Sequence, residues 1–421
     1  MKQDRALLFG VELTGTEKDD SEDMDRSLQE LSRLAHTAGY ETSGKLLQRR
    51  RAPHPALYLG KGKVEELKLT CQEENVGTVI SDDELSPAQI RNLENELELD
   101  VIDRTGLILE IFSNRASTKE AKLQVELARL AYLLPRLKGK GEEMSRLAGG
   151  IGTRGSGETK LEIERRHIEQ QIQRTRKKLK EVEKVRDEKR KQRQGKNLPL
   201  ISLVGYTNSG KSTLLQKLTG TQTLARDQLF STLDPKLSSL ELPGGVKCIM
   251  SDTVGFINKL PHDLVEAFKA TLEEVVEADL LLHVVDVTSI EMEKEIDSVK
   301  EVLQSLDAYD KPIITVYNKM DLLGQPDPTL YTKKDDSYLV SALQGIGLEE
   351  LKAGISNHIK TSWEEDEIFI PYGKEDVACL FHERGEVIQE EYTEEGLILH
   401  VKLPREEHGR LTKMLKSTTH G

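Results

Sequence analysis

The sequence predicts an α/β protein of more than one domain, and three observations carry that prediction. Strand-like apolar runs alternate with amphipathic helical stretches in residues 1–115 and again in 198–360. Between these regions the hydrophobic period becomes that of long helices. A glycine-rich loop ending in Lys211-Ser212 stands between an apolar run and a helical one. At 421 residues the chain also exceeds the roughly 250–300 residues at which single cores stop growing.

Residues 1–115 read as a small α/β domain. ALLFGVEL is a strand, SLQELSRLAHTAGY an amphipathic helix, and GTVISDD a second strand. SPAQIRNLENEL opens with a Ser-Pro helix start, and DVIDRTGLILEIF returns to strand character. Gly60-Lys61-Gly62-Lys63 suggests phosphate contact but lacks the full spacing of a phosphate-binding loop.

Residues 116–197 predict an antiparallel helical hairpin. Ala116, Leu123, Leu127, Leu130, Leu134 and Leu137 form a coiled-coil-like seam, and Leu161, Ile168, Ile172, Leu179 and Val182 form a second stripe. The intervening loop is rich in glycine and carries Arg146, Gly150, Gly152 and Arg154. Its GxGxxG spacing follows a helix, whereas a dinucleotide site needs a preceding strand, so that reading is rejected. Lys160–Asn197 holds 15 Lys and Arg against 7 Asp and Glu, a local charge of +8 in a chain of −13. The rest therefore carries −21, which disfavours general nucleic-acid binding and leaves one basic surface. Arg174, Lys177 and Lys178 on the second helix, with the loop residues, are the candidate RNA contacts.

Residues 198–360 carry the chemistry. Gly205-Tyr206-Thr207-Asn208-Ser209-Gly210-Lys211-Ser212 fits G-x-x-x-x-G-K-[ST] between the strand LPLISLVG and the helix TLLQKLTG. In that setting backbone N–H groups surround phosphate oxygens, Lys211 reaches the β and γ phosphates, and the Ser212 hydroxyl coordinates Mg²⁺. Asp252-Thr253-Val254-Gly255 follows VKCIMS; its carboxylate would hold Mg²⁺ through water, and Gly255 N–H would meet a γ-phosphate. Asn318-Lys319-Met320-Asp321 follows PIITVY, and Asp321 can accept the N1–H and N2–H donors that guanine has and adenine lacks. Ser341-Ala342-Leu343 sits where loop backbone would meet guanine O6. In order, these motifs define a GTP- and GDP-binding P-loop GTPase.

Phe230-Ser231-Thr232-Leu233-Asp234 is the expected switch segment, with Thr232 completing Mg²⁺ coordination and Thr223 the alternative. Lys211, Thr232, Gly255 and Asn208 are the candidate catalytic residues. Phe256 stands where many GTPases place a water-orienting glutamine, so hydrolysis by the isolated protein is expected to be slow. Asn208 occupies the P-loop position at which some GTPases use K⁺, and a structural asparagine is the competing reading.

Residues 361–421 read as a small acidic α+β domain. Cys71, Cys248 and Cys379 are scattered, without metal or redox spacing, which suits reduced thiols and a cytoplasmic location. No apolar run reaches the roughly 18 residues of a membrane span, so no stable membrane insertion is expected.

LYLGKGKVEEL, VIDRTGLIL, GGIGTRGSGETKLE, VGYTNSGKSTL, FSTLDP, DTVGF and NKMD, in this order, resemble the HflX family of GTPases over about residues 1–360. The resemblance implies binding to the large ribosomal subunit, with the hairpin loop approaching ribosomal RNA, and GTP-dependent splitting or rescue of stalled ribosomes. For some members it also implies ATP use through the first domain, which would engage Gly60–Lys63. The rival function is a ribosome-assembly GTPase that binds subunit precursors without splitting.

Overall fold

A computed structural model describes residues 4–14, 21–137, 156–194, 198–220, 230, 236–257, 259, 272–324, 331, 336–361 and 363–417. The chain divides into two compact units. The first comprises Met1–Asp187, Arg226–Asp234 and Ile257–Leu272; the second comprises Glu188–Ala225, Pro235–Phe256 and Glu273–Gly421.

The first unit is built on four parallel strands, β1 (Arg5–Leu13), β2 (Glu41–Arg50), β3 (Thr78–Ser81) and β4 (Asp100–Ile102), in the order β2-β1-β3-β4. Helices α1 (Ser21–Ala38), α2 (Lys61–Glu73), α3 (Pro87–Leu97) and α4 (Arg104–Arg115) connect and cover them. Leu7, Phe9, Val79 and Val101 meet Leu67, Leu93 and Leu97 in one apolar core. The Ser-Pro start of α3 closes a reciprocal cap, because Ser86 Oγ accepts from Gln89 N at 3.2 Å while Ser86 N donates to Gln89 Oε1 at 2.9 Å.

VIDRTGLILEIF is a strand only to Ile102 and a helix from Arg104. Asp103 turns the chain by accepting from Gly106 N at 2.8 Å, an N-cap that satisfies an otherwise orphaned donor. The apolar run after it is buried on several sides of α4, which hides the period of 3.6.

Helix α5 (Lys119–Arg136) starts at the Thr118 cap, so Ala116 lies outside it. Its buried residues are Ala121, Leu123, Gln124, Val125, Ala128 and Leu130, and Leu127, Leu134 and Leu137 are only half-buried. The helix contacts α4 and α3, and of the expected leucine seam only Leu123 and Leu130 are buried. Helix α6 (Ser156–Gln194) runs 39 residues, about 58 Å at 1.5 Å per residue. Ile172 and Thr175 are buried, Ile168, Leu179 and Val182 half-buried, and Arg174, Lys177 and Lys178 exposed. Arg186 Nη1 meets Glu120 Oε1 at 2.5 Å, joining the late part of α6 to the first turn of α5, as antiparallel helices require. Arg146, Gly150, Gly152 and Arg154 lie outside the described residues.

The second unit holds a six-stranded sheet of β5 (Leu200–Val204), β6 (Lys236–Glu241), β7 (Lys247–Asp252), β8 (Leu280–Asp286), β9 (Ile313–Asn318) and β10 (Ser337–Leu339). The order is β10-β9-β8-β5-β7-β6, parallel except for β6. Helices α7 (Lys211–Thr219), α8 (Glu273–Glu277), α9 (Met292–Ser305) and α10 (Leu348–Thr361) accompany it. β5 and β8 are almost wholly buried, which explains their unbroken apolar sequences. The chain ends in an antiparallel sheet, β11 (Glu364–Pro371), β12 (Glu386–Tyr392) and β13 (Gly396–Leu403) in the order β11-β13-β12, with α11 (Glu375–Arg384) and α12 (Arg405–Ser417). Phe381, Leu399, Val401 and Leu411 form its separate core.

Candidate nucleotide site

The site lies in the second unit, at the carboxyl ends of the parallel strands where sheet order reverses around β5, the position at which open α/β sheets bind ligands. Three backbone conformations shape the loop between β5 and α7. Gly205 and Gly210 have φ of 150° and 97°, and Asn208 has φ of 63°. A Cβ at Gly210 would stand 2.2 Å from Asn318 Nδ2, so both space and dihedral angle require glycine there. Asn208 is exposed, whereas Thr207 and Ser209 are buried.

Lys211 opens α7 with its side chain 6% exposed. Its ammonium donates to Gly205 O at 2.9 Å and Tyr206 O at 2.7 Å, which curls the loop around it. Burial lowers its pKa to about 8, with the Asp252 carboxylate opposing the shift. Ser212 Oγ donates to Asp252 Oδ2 at 2.7 Å, so the hydroxyl of the P-loop meets the carboxylate at the end of β7. Thr253 Oγ1 donates to Leu203 O at 2.5 Å and ties the following turn to β5.

Gly255 lies against the phosphate loop; a Cβ there would stand 2.9 Å from Thr207 Cα and 3.1 Å from Lys211 Nζ. Thr207 N donates to Phe256 O at 2.7 Å and Phe256 N to Gly205 O at 3.1 Å. The Phe256 side chain is 1% exposed, so it fills the core and does not face solvent at the loop.

Asn318 links the phosphate and base-binding loops. Its Nδ2 donates to Ser209 O and its Oδ1 accepts from Ala342 N, both at 2.9 Å. Asp321 Oδ1 accepts from Ser341 Oγ at 2.6 Å, and Met320 N donates to Val340 O at 3.2 Å. Lys319, with φ of 70°, pairs with Asp286 Oδ2 at 2.6 Å. Asp286 was missed in the sequence; the strand ending HVVDVT was its only signal. Ser341 and Ala342 are buried, whereas Leu343 is 68% exposed. Of the switch segment, Phe230 is described, and Ser231, Thr232, Leu233 and Asp234 lie outside the described residues.

Ser212 and Asp252 offer converging hard oxygen donors beside the phosphate loop, which fits Mg²⁺ held jointly by side chains, water and phosphate. Among the described residues there is no cluster of three His, Cys, Asp or Glu, so a cage made wholly of such side chains is absent there. Cys71, Cys248 and Cys379 are free thiols.

A glycine-lined loop between β5 and α7, a carboxylate at the end of β7, and a base-reading loop after β9 define this protein as a P-loop GTPase. Three family models match successive stretches: "GTP-binding GTPase N-terminal" over residues 25–113, "GTP-binding GTPase Middle Region" over 115–193, and "50S ribosome-binding GTPase" over 200–319. GTPase HflX of Caldanaerobacter subterraneus subsp. tengcongensis is 48% identical over 393 residues, covering 93% of this chain and 91% of that one. GTPase HflX of Escherichia coli K12 is 40% identical over 407 residues, covering 96% and 95%. The chain belongs to the GTPase HflX family. A solved GTP-binding protein from Sulfolobus solfataricus in complex with GDP is 28% identical, covering 84% of this chain and 98% of that one, with a TM-score of 0.43.

Proposed function

We propose that this GTPase binds the large ribosomal subunit in a GTP-dependent manner, in the cytoplasm, and splits or rescues stalled ribosomes. The observation that carries the reading is the basic helix α6, whose Arg174, Lys177 and Lys178 are exposed in a chain of net −13. A polyphosphate backbone is the partner such a stripe favours. The match of residues 200–319 to a model described as a 50S ribosome-binding GTPase supports the same partner.

In this reading Lys211 would contact the β and γ phosphates, and Ser212 and Thr232 would hold Mg²⁺ with support from the Asp252 carboxylate. Asp321 reads the guanine edge while Ser341–Leu343 backs it. When bound, Mg²⁺ supplies charge to the phosphate oxygens. Asn208 adds a K⁺ contact, which faster hydrolysis in K⁺ than in Na⁺ would reveal. Arg146, Gly150, Gly152 and Arg154 approach ribosomal RNA.

Sedimentation of intact ribosomes tests the reading. With a non-hydrolysable GTP analogue, separated subunits should appear, and with GDP they should not. Binding without separation would favour the assembly role. Changing Arg174, Lys177 and Lys178 to Glu should weaken association and lower the salt slope by about 2–3, since each lost phosphate contact releases fewer counterions. An unchanged slope would remove α6 as the RNA-facing surface.

A further inference from the structure

Asp286 ends β8 beside the base-binding loop and belongs to none of its motifs. β8 and β9 run parallel with Asp286 opposite Asn318, and Val287 N donates to Asn318 O at 3.1 Å. Asp286 therefore leaves the sheet level with the first residue of the Asn318–Asp321 loop.

Its two carboxylate oxygens have separate tasks. Oδ1 accepts from Thr288 N at 3.0 Å and from Thr288 Oγ1 at 2.6 Å, a local turn that fixes the carboxylate. Oδ2 lies 2.6 Å from Lys319 Nζ. The Lys319 and Asp286 side chains are 24% and 17% exposed, so the pair is better shielded from water than an ion pair on the open surface. A charge-assisted bond of that length is among the stronger contacts available to a loop.

Lys319 needs such a hold. Its φ is 70°, a left-handed conformation that a residue with a Cβ keeps where its surroundings impose it. A single 3₁₀ turn, Met320–Leu322, follows, and the Lys319 side chain makes no capping bond to it. Asp321 is the middle residue of that turn, and its Oδ1 accepts from Ser341 Oγ at 2.6 Å. The direction in which Asp321 leaves the loop thus depends on the Lys319 backbone two residues earlier, and Asp286 holds the Lys319 side chain.

We propose that Asp286 is a positioning residue for guanine: by holding the Lys319 ammonium it fixes the left-handed turn that aims the Asp321 carboxylate at the N1–H and N2–H donors of the base. The inference rests on Asp321 as the reader of the guanine edge. Asp286 acts through Lys319 and the loop backbone.

The test is titration of the full chain with GDP and with IDP. Inosine keeps the N1–H and lacks the N2 amine, so the ratio of the two affinities reports the aim of Asp321. Asp286→Asn keeps an acceptor for Thr288 and removes the charge that holds Lys319. GDP affinity should fall on the order of tenfold, the worth of one hydrogen bond to a charged group. IDP affinity should fall by no more than about threefold, since it has one donor fewer to lose. Thr288→Val, which loosens Oδ1 and leaves both charges in place, should lower the same ratio by a smaller factor. Asp286→Glu keeps the charge and should restore most of it. An unchanged GDP-to-IDP ratio in both Asp286→Asn and Thr288→Val would overturn the proposal. So would an equal loss for the two nucleotides, which would make Asp286 a structural tie only. Asp321→Asn separates the two ways of failing. A gain for XDP there, beside an unchanged ratio in Asp286→Asn, removes the role of Asp286 alone; no gain for XDP removes the base reading and this proposal with it.

Discussion

Asn318→Ala examines the joint between phosphate and base recognition. The native amide makes two buried bonds at 2.9 Å, one to Ser209 O and one from Ala342 N. Removing it leaves a buried carbonyl and a buried N–H unsatisfied, and each such group costs about 1–3 kcal/mol. Partial relaxation of the loops puts the total near 3 kcal/mol, which is roughly a hundredfold in an equilibrium constant. Part of the loss appears as stability and part as affinity, because the same two loops hold the nucleotide. Urea unfolding with and without GDP, beside direct titration of a fluorescent GDP, separates the two. Asn318→Asp adds a control: it keeps the acceptor for Ala342 N and sets an oxygen against Ser209 O, so it should retain only half of the joint. A combined loss below about 1 kcal/mol for Asn318→Ala would refute the reasoning, since it would equal one ordinary exposed hydrogen bond.

Asp321→Asn should exchange acceptor for donor at the base edge and shift preference from guanine to xanthine nucleotides; full GTP affinity with none gained for XTP would exclude Asp321 as base reader. Lys211, with its pKa lowered to about 8 from 10.5, makes an unfolded chain bind more protons between those values, so the nucleotide-free protein should gain stability as pH rises through that window. Phosphate restores the charge, so GDP binding near about pH 8.5 should take up a proton, seen as a buffer-dependent calorimetric heat; a heat independent of buffer would contradict this. Phe256→Gln should destabilise the fold without speeding hydrolysis, because the side chain is 1% exposed in the core; a faster single-turnover rate would show that the side chain can reach the water.

The α/β class was legible because binary patterning and local signals agree, whereas β2 (Glu41–Arg50) and α2 (Lys61–Glu73) were not read. Ser86-Pro87 marked a helix start that the structure closes with Gln89. The motifs from Gly205 to Leu343 were legible because each sits in a short loop whose backbone demands are written in residue type. The strand character assigned to VIDRTGLILEIF failed where a helix buried on several sides has no polar face to show its period. The leucine seam of α5 holds only in part, since Leu123 and Leu130 are buried whereas Leu127, Leu134 and Leu137 are half-buried.

Sequence alone determined that guanine-nucleotide motifs follow a basic helical segment, since each depends on residues near one another in the chain. Tertiary structure decided the pairings that span long separations. Asn318 reaches Ser209 across 109 positions, Lys319 finds Asp286, and Lys259 lies on Asp82 across 177. Such contacts follow from strand order and helix packing. An asparagine, a lysine or an aspartate by itself is compatible with many partners, and only the folded sheet selects one.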